Sequence, residues 1–86
     1  MPLRLRPDVA TTDTEEGTVL RDERTGRSWR LNRTGTHVLR GLLIGQDTAH
    51  IAQELADRHQ IAPGRAQQDV AKIVERLRSS ALLESS

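Results

Sequence analysis

The stretch from Thr18 to Gly35 constrains this chain more than any other, because it reads as strand, turn, strand and helix start without a break. Thr18–Asp22 and Arg27–Leu31 are short runs rich in β-formers, and period-2 alternation puts Trp29 and Leu31 on one face. Between them lies a polar Thr25-Gly26 turn, where Gly26 can take a positive φ without steric cost. Asn32 then offers a side-chain oxygen to the free amides of a following helix. A hairpin that opens a small helical domain leaves one strand at a sheet edge. Such a strand can accept a peptide as its neighbour.

The remaining elements follow from the same kind of pattern. Residues 1–7, with Pro2 and Pro7 around Leu3-Arg4-Leu5-Arg6, read as a flexible extended N-terminal arm, and residues 8–84 as the folded domain. Asp8–Asp13 forms a first strand, and Thr14-Glu15-Glu16-Gly17 a polar turn ending in glycine. The first helix spans about Arg33 to Leu43, with Val38, Leu39, Leu42 and Leu43 at helical spacing and Gly45 as its stop. Gly41 weakens that helix by about 1 kcal/mol relative to alanine, which implies close packing there. A second helix starts after Asp47 or Thr48 and runs to about His59, burying Ile51, Ala52, Leu55 and Ala56. Ile61 is a core plug in the connection. The third helix begins at Pro63 and extends to about Arg78, with Ala66, Val70, Ile73, Val74 and Leu77 on one face. Ala81-Leu82-Leu83 packs back as a short tail. The order of three strands and three helices predicts an α+β, winged helix-turn-helix-like domain: a three-stranded antiparallel sheet packed on three α-helices.

Composition limits what such a domain can do. At 86 residues, a single core is only marginally sufficient, and with no Phe or Tyr it must be built from Leu, Ile, Val and Ala around Trp29. The absence of cysteine excludes disulfides, thiolate metal sites and a cysteine nucleophile. Formal net charge is +1, without the concentrated basic surface that non-specific nucleic-acid binding needs. No apolar run can span a membrane and no signal-peptide core is visible, so the expected location is the cytoplasm.

Catalysis finds little support. His37, His50 and His59 have no metal-ligand spacing, Glu15-Glu16 and Asp22-Glu23 lie in solvated loops, and no glycine-rich phosphate loop follows a strand. No cofactor or metal is expected. DNA binding is an alternative: the third helix exposes Arg65, Gln67, Gln68, Lys72, Arg76 and Arg78, residue types that read base edges or phosphates. Asp69 and Glu75 interrupt that face, and an ordinary solvated amphipathic helix explains it equally well. Peptide addition to Arg27–Leu31 is the third reading. Each main-chain bond to a guest strand is worth about 0.5–1.5 kcal/mol, against an association cost of at least ~4 kcal/mol. Buried apolar anchors at about 1.5–3 kcal/mol each are therefore required. An edge blunted by Arg27 and Arg30 against aggregation fits the same residues equally well; the residues alone leave both readings open.

The residues Gly17-Thr-Val-Leu-Arg-Asp, Thr25-Gly26-Arg-Ser-Trp-Arg-Leu-Asn32-Arg-Thr-Gly35, Asp47-Thr48, Ile51-Ala52, Leu55-Ala56, Asp69-Val70, Ile73-Val74, Leu77 and Leu82-Leu83 together resemble the PqqD-like family of recognition elements for ribosomally made, modified peptides. The resemblance spans about Val9 to Leu83. Ala81 departs from it, where the family often has glycine. It implies that a precursor's leader peptide binds as an added strand between the third strand and the third helix. On this chain the peptide-binding residues would be Arg27, Ser28, Trp29, Arg30 and Leu31 opposite Asp69, Val70, Ile73, Val74 and Arg76. Arg27, Arg30 and Arg76 would orient acidic leader residues, and Asp69 a basic one. Periodicity leaves open whether the Asp69 and Arg76 flank or the Gln67, Ala71 and Arg78 flank meets the peptide; the family pattern retains an Asp, which favours the first. A free-standing chain of this length is most similar to the leader-binding proteins of lasso-peptide clusters. Those work with a cysteine-protease-like leader peptidase and an asparagine-synthetase-like cyclase. The peptide chaperone of a radical SAM enzyme in quinone-cofactor biosynthesis is the competing family member.

Overall fold

In the computed structural model, which describes residues 3–80 and 82–85, the hairpin is the centre of a three-stranded antiparallel sheet. In chain order the elements are β1 (Leu3–Leu5), β2 (Val9–Thr14), β3 (Gly17–Asp22), β4 (Ser28–Asn32), α1 (Arg33–Leu43), α2 (Thr48–His59), α3 (Pro63–Ser79) and β5 (Leu83–Ser85). The sheet order is β2-β3-β4, with Leu20 opposite Trp29 and Thr18 opposite Leu31. Alternation therefore sends Thr18, Leu20, Asp22, Trp29 and Leu31 to the helix side, while Val19, Arg21, Ser28 and Arg30 face outward. Burial follows this split: Thr18, Leu20, Asp22 and Leu31 are buried, and Arg21, Ser28 and Arg30 are exposed. This is the expected three-stranded sheet on three helices.

Local chemistry sets the element ends. The turn after β3 is closed by Asp22 N donating to Arg27 O at 2.9 Å, with Gly26 at φ +76°. Asn32 caps α1 by accepting from Gly35 N at 2.8 Å, and Asp47 caps α2 by accepting from His50 N at 2.7 Å. The α2 cap is thus Asp47 rather than Thr48. Gln60 takes a left-handed conformation that ends α2 and lets Ile61 N donate back to Ala56 O, packing Ile61 against the core. Pro63 sits in the first turn of α3, where its missing N–H costs nothing.

The core joins Leu20 and Leu31 of the sheet to Val38, Leu39 and Leu42 of α1, Ile51, Ala52 and Leu55 of α2, and Ala66, Val70 and Leu77 of α3. Gly41 permits the α1–α2 contact, since a Cβ there would lie 2.7 Å from Ile51 Cγ1. Leu82, 1% exposed, closes the core from the C-terminal side.

The N-terminal arm differs from expectation. Leu3–Leu5 pairs with Leu83–Ser85 as a second, two-stranded sheet, reinforced by Arg4 Nε donating to Glu84 Oε1 at 2.9 Å and Arg6 N to Leu82 O at 3.0 Å. Its partner lies 80 residues away along the chain and each strand has three residues, so no local periodicity announces it. Met1, Pro2 and Ala81 lie outside the described residues.

Two positions fix how β4 is presented. Gly17 has φ +153°, and a Cβ there would lie 1.9 Å from Leu31 O. Gly17→Ala is expected to destabilise the domain by about 3 kcal/mol through backbone strain and displacement of β4, read from urea unfolding. At the other end of the hairpin, Asp22 Oδ1 accepts from Arg24 N at 2.9 Å. That bond, opposed by burial and aided by the Arg24 charge, holds the Asp22 carboxyl below the ordinary aspartate value. Its stabilising contribution is complete above the unfolded-state value and is lost as pH falls through the lower folded one. Asp22→Asn should therefore be less stable than wild type near pH 7, with the gap narrowing below about pH 4. A gap that stays constant across that range would show that the ionised carboxylate is not what holds the turn.

Candidate functional site

Hydrogen-bond alternation determines what the free edge of β4 offers. Because Asp22 and Arg27 form a bonded pair, Leu20–Trp29 and Thr18–Leu31 are the next bonded pairs along the ladder. The bond from Glu23 N to Asp8 O, 2.9 Å, fits the same alternation from the β2 side. The amide groups of Trp29 and Leu31 are thus used within the sheet, while those of Ser28 and Arg30 turn to the open edge. Asn32 adds its N–H there; its carbonyl accepts from Thr36 Oγ1 at 2.9 Å.

Opposite this edge stands α3, and between them runs a groove of about 1370 Å³. The strand side contributes Arg30, Leu31 and Asn32; the helix side contributes Arg65, Asp69, Lys72, Ile73 and Arg76. Those five helix positions recur at the spacing of a single face. Ile61, Thr34 and Gly35 line the end where α1 and α3 begin, and Glu15 and Glu16 of the β2–β3 turn border it. Among the described residues Arg30, Arg65, Lys72 and Arg76 have no carboxylate partner, nor do Arg21, Arg27, Arg33, Arg58 and Arg78 elsewhere, whereas Arg4, Arg6, Arg24 and Arg40 do. A half-buried apolar side chain, Ile73, lies among these cations and Asp69.

Of the residues expected to bind peptide, Arg30, Leu31, Asp69, Ile73 and Arg76 come together on this groove. Val70 does not: at 2% exposed it belongs to the core, and its part is to hold α3 in place. Val74 packs against the core and does not line the groove. Arg27, Ser28 and Trp29 continue β4 and its turn beyond the lining residues. There the Arg27 guanidinium lies 5.6 Å from the centroid of the half-buried Trp29 ring. The α3 flank that faces the groove carries Asp69 and Arg76, while Gln67, Ala71 and Arg78 are exposed away from it. Arg65 and Lys72, which the sequence puts on an exposed face suited to DNA, line the groove instead; their spacing of four and three from Asp69 is the signal that they share its side. Ile61, read as a core plug, also forms part of the groove floor.

The histidines stand elsewhere. His50 Nε2 is 2.6 Å from Glu54 Oε1, and His37 Nε2 is 3.6 Å from Glu54 Oε2. Burial lowers the His37 pKa, opposed by the Glu54 charge. No group of His, Asp or Glu among the described residues has the arrangement to hold a metal ion. No helix among them is long and apolar enough to cross a membrane.

Comparison with known proteins converges on this architecture. No curated protein sequence matches the chain. A lasso peptide synthetase B1, solved in complex with the leader peptide, superposes with a TM-score of 0.88 at 32% identity, over 99% of this chain and 100% of that one. TbiB1 in complex with the TbiA(β) leader peptide superposes with a TM-score of 0.81 at 18% identity, over 96% of both chains, and at that identity speaks for the fold alone. The sequence family described as coenzyme PQQ synthesis protein D (PqqD) matches residues 17–83. That match begins at β3 and ends at the first residue of β5, taking in both walls of the groove, and so the chain belongs to the PqqD family.

Proposed function

We propose that this chain is a non-catalytic adaptor that binds the leader peptide of a ribosomally made precursor by strand addition between β4 and α3. The observation that carries this reading is the open edge of β4 across a groove from α3, whose wall sets Ile73 among Arg65, Asp69, Lys72 and Arg76. It is supported by the 32% identity, across the full length, to a lasso synthetase B1 whose structure holds a leader peptide. Lasso-peptide maturation is accordingly the favoured pathway. The adaptor would act in the cytoplasm and hand the precursor to a cysteine-protease-like leader peptidase and an asparagine-synthetase-like cyclase. The quinone-cofactor role in the family description is the second pathway reading, and neighbouring genes distinguish the two: a peptidase with a cyclase, or a radical SAM enzyme.

The energetics make the anchors decisive. Main-chain bonds from Ser28, Arg30 and Asn32 at about 0.5–1.5 kcal/mol each do little more than offset an association cost of ~4 kcal/mol or above. Apolar leader side chains against Leu31, Ile61, Ile73 and the open part of Trp29 must supply the rest.

Titration of a synthetic leader, taken from the precursor gene nearest this one, tests the proposal. Trp29, the one tryptophan of the chain, should change its emission, and amide resonances should shift along Ser28–Asn32 and along α3. Shifts confined to α1 and α2 would overturn it. Retention on duplex DNA that weakens steeply with salt would instead favour a nucleic-acid role for Arg65, Lys72 and Arg76. Ile73→Glu should weaken leader binding at least about tenfold, the equivalent of one lost apolar anchor, with the thermal unfolding transition retained. If Ile73→Glu unfolds the domain, Ile73 is core and the groove is shallower than drawn.

A further inference from the structure

Resting on that reading, we infer that the guest strand carries an acidic residue flanked directly on both sides by apolar ones, and that Arg30 selects the acidic position. The alternation of the sheet leads to this pattern. Arg30 turns its amide groups to the free edge, so in an antiparallel guest the residue opposite it sits in a hydrogen-bonded pair, with Cα atoms about 5.5 Å apart. Side chains of such a pair lie on the same face, which for Arg30 is the outer face, shared with Val19. Arg30 is exposed and has no carboxylate partner among the described residues. A guest carboxylate there meets a ready cation, while a guest lysine meets a like charge at the same distance.

The neighbouring guest residues point the other way. They lie opposite Trp29 and Leu31 in non-hydrogen-bonded pairs, where side chains come closer, at about 4.5 Å between Cα atoms. Both Trp29 and Leu31 are on the helix side of the sheet, and Ile73 lines the groove from α3. The side chains directly across from them on β4 are apolar, and a charge on either neighbour would lie against Trp29 or Leu31, with the charged residues of α3 on the far wall. The pattern holds for either direction of the guest strand, because it depends on faces rather than on chain polarity.

Panning a displayed library of random ten-residue peptides over the full chain tests this. Enriched peptides should share an apolar–Asp/Glu–apolar triplet. On Arg30→Glu, the middle position should turn to Lys or Arg, and a wild-type-selected peptide should bind about tenfold more weakly, as attraction becomes repulsion. Arg78→Glu makes the same change of net charge on an exposed position away from the groove, and should leave the selected triplet unchanged. Enrichment of peptides without the acidic middle residue, or an unaltered preference on Arg30→Glu, overturns the inference while leaving strand addition standing. If the wild-type protein enriches no peptide at all, the peptide-binding reading falls and the inference falls with it.

Discussion

The β3–β4 ladder is the interaction on which the other features depend, since β4 is satisfied on one edge only. Its inner bonds, through Trp29 and Leu31, hold those side chains against the helices and orient α1 directly after Asn32. Its outer bonds, through Ser28 and Arg30, have no partner within the sheet. A strand held firmly on one side and left open on the other is a rigid template. In the proposed complex little conformational entropy would remain for the protein to lose, and such preorganisation improves affinity without adding contacts.

Rigidity in a domain this small has to come from close packing. With no Phe or Tyr, the interior is an aliphatic cluster, and Trp29 contributes only its half-buried part. Two glycines allow the close approaches that compensate. Gly17 lets β3 lie against Leu31 O, and Gly41 lets α1 settle on Ile51. The β1–β5 pair then ties the two chain ends together over Leu82, restricting the region where α3 ends. Those ends would otherwise fray first, and α3 forms one wall of the groove.

Much of this was legible in the residues because it rests on local signals. Gly26, Asn32, Asp47 and Pro63 each mark a turn or helix start through their own backbone chemistry, and the three helices lie within a residue or two of the boundaries their apolar spacing implies. What was not legible is what depends on distant partners or on which atoms of a residue face where. The β1–β5 pairing joins opposite ends of the chain. Val70, Ile73 and Val74 look alike on a helical wheel, yet Val70 is enclosed by the core, and of the other two, both half-buried against it, only Ile73 also lines the groove. Arg65 and Lys72 read as solvated charge until β4 is set beside them.

The groove gathers charge of both signs, with cations in slight excess. Elsewhere, Arg4, Arg24 and Arg40 find carboxylates on Glu84, Asp8 and Asp13, whereas Arg21, Arg27, Arg33, Arg58 and Arg78 have none among the described residues. Along the groove Arg30, Arg65, Lys72 and Arg76 likewise have none, although Glu15, Glu16 and Asp69 line it with them, and Arg30 lies on the outer face of the sheet, away from the other three. In the proposed complex, a guest carboxylate opposite Arg30 would supply the partner that the described residues do not. The same arrangement disfavours pairing of two copies through β4 in the register that sets Arg30 against Arg30, as like charges directly opposite are destabilising. Arg30 thus works against one wrong neighbour at the edge and, in the proposed complex, would favour an acidic one.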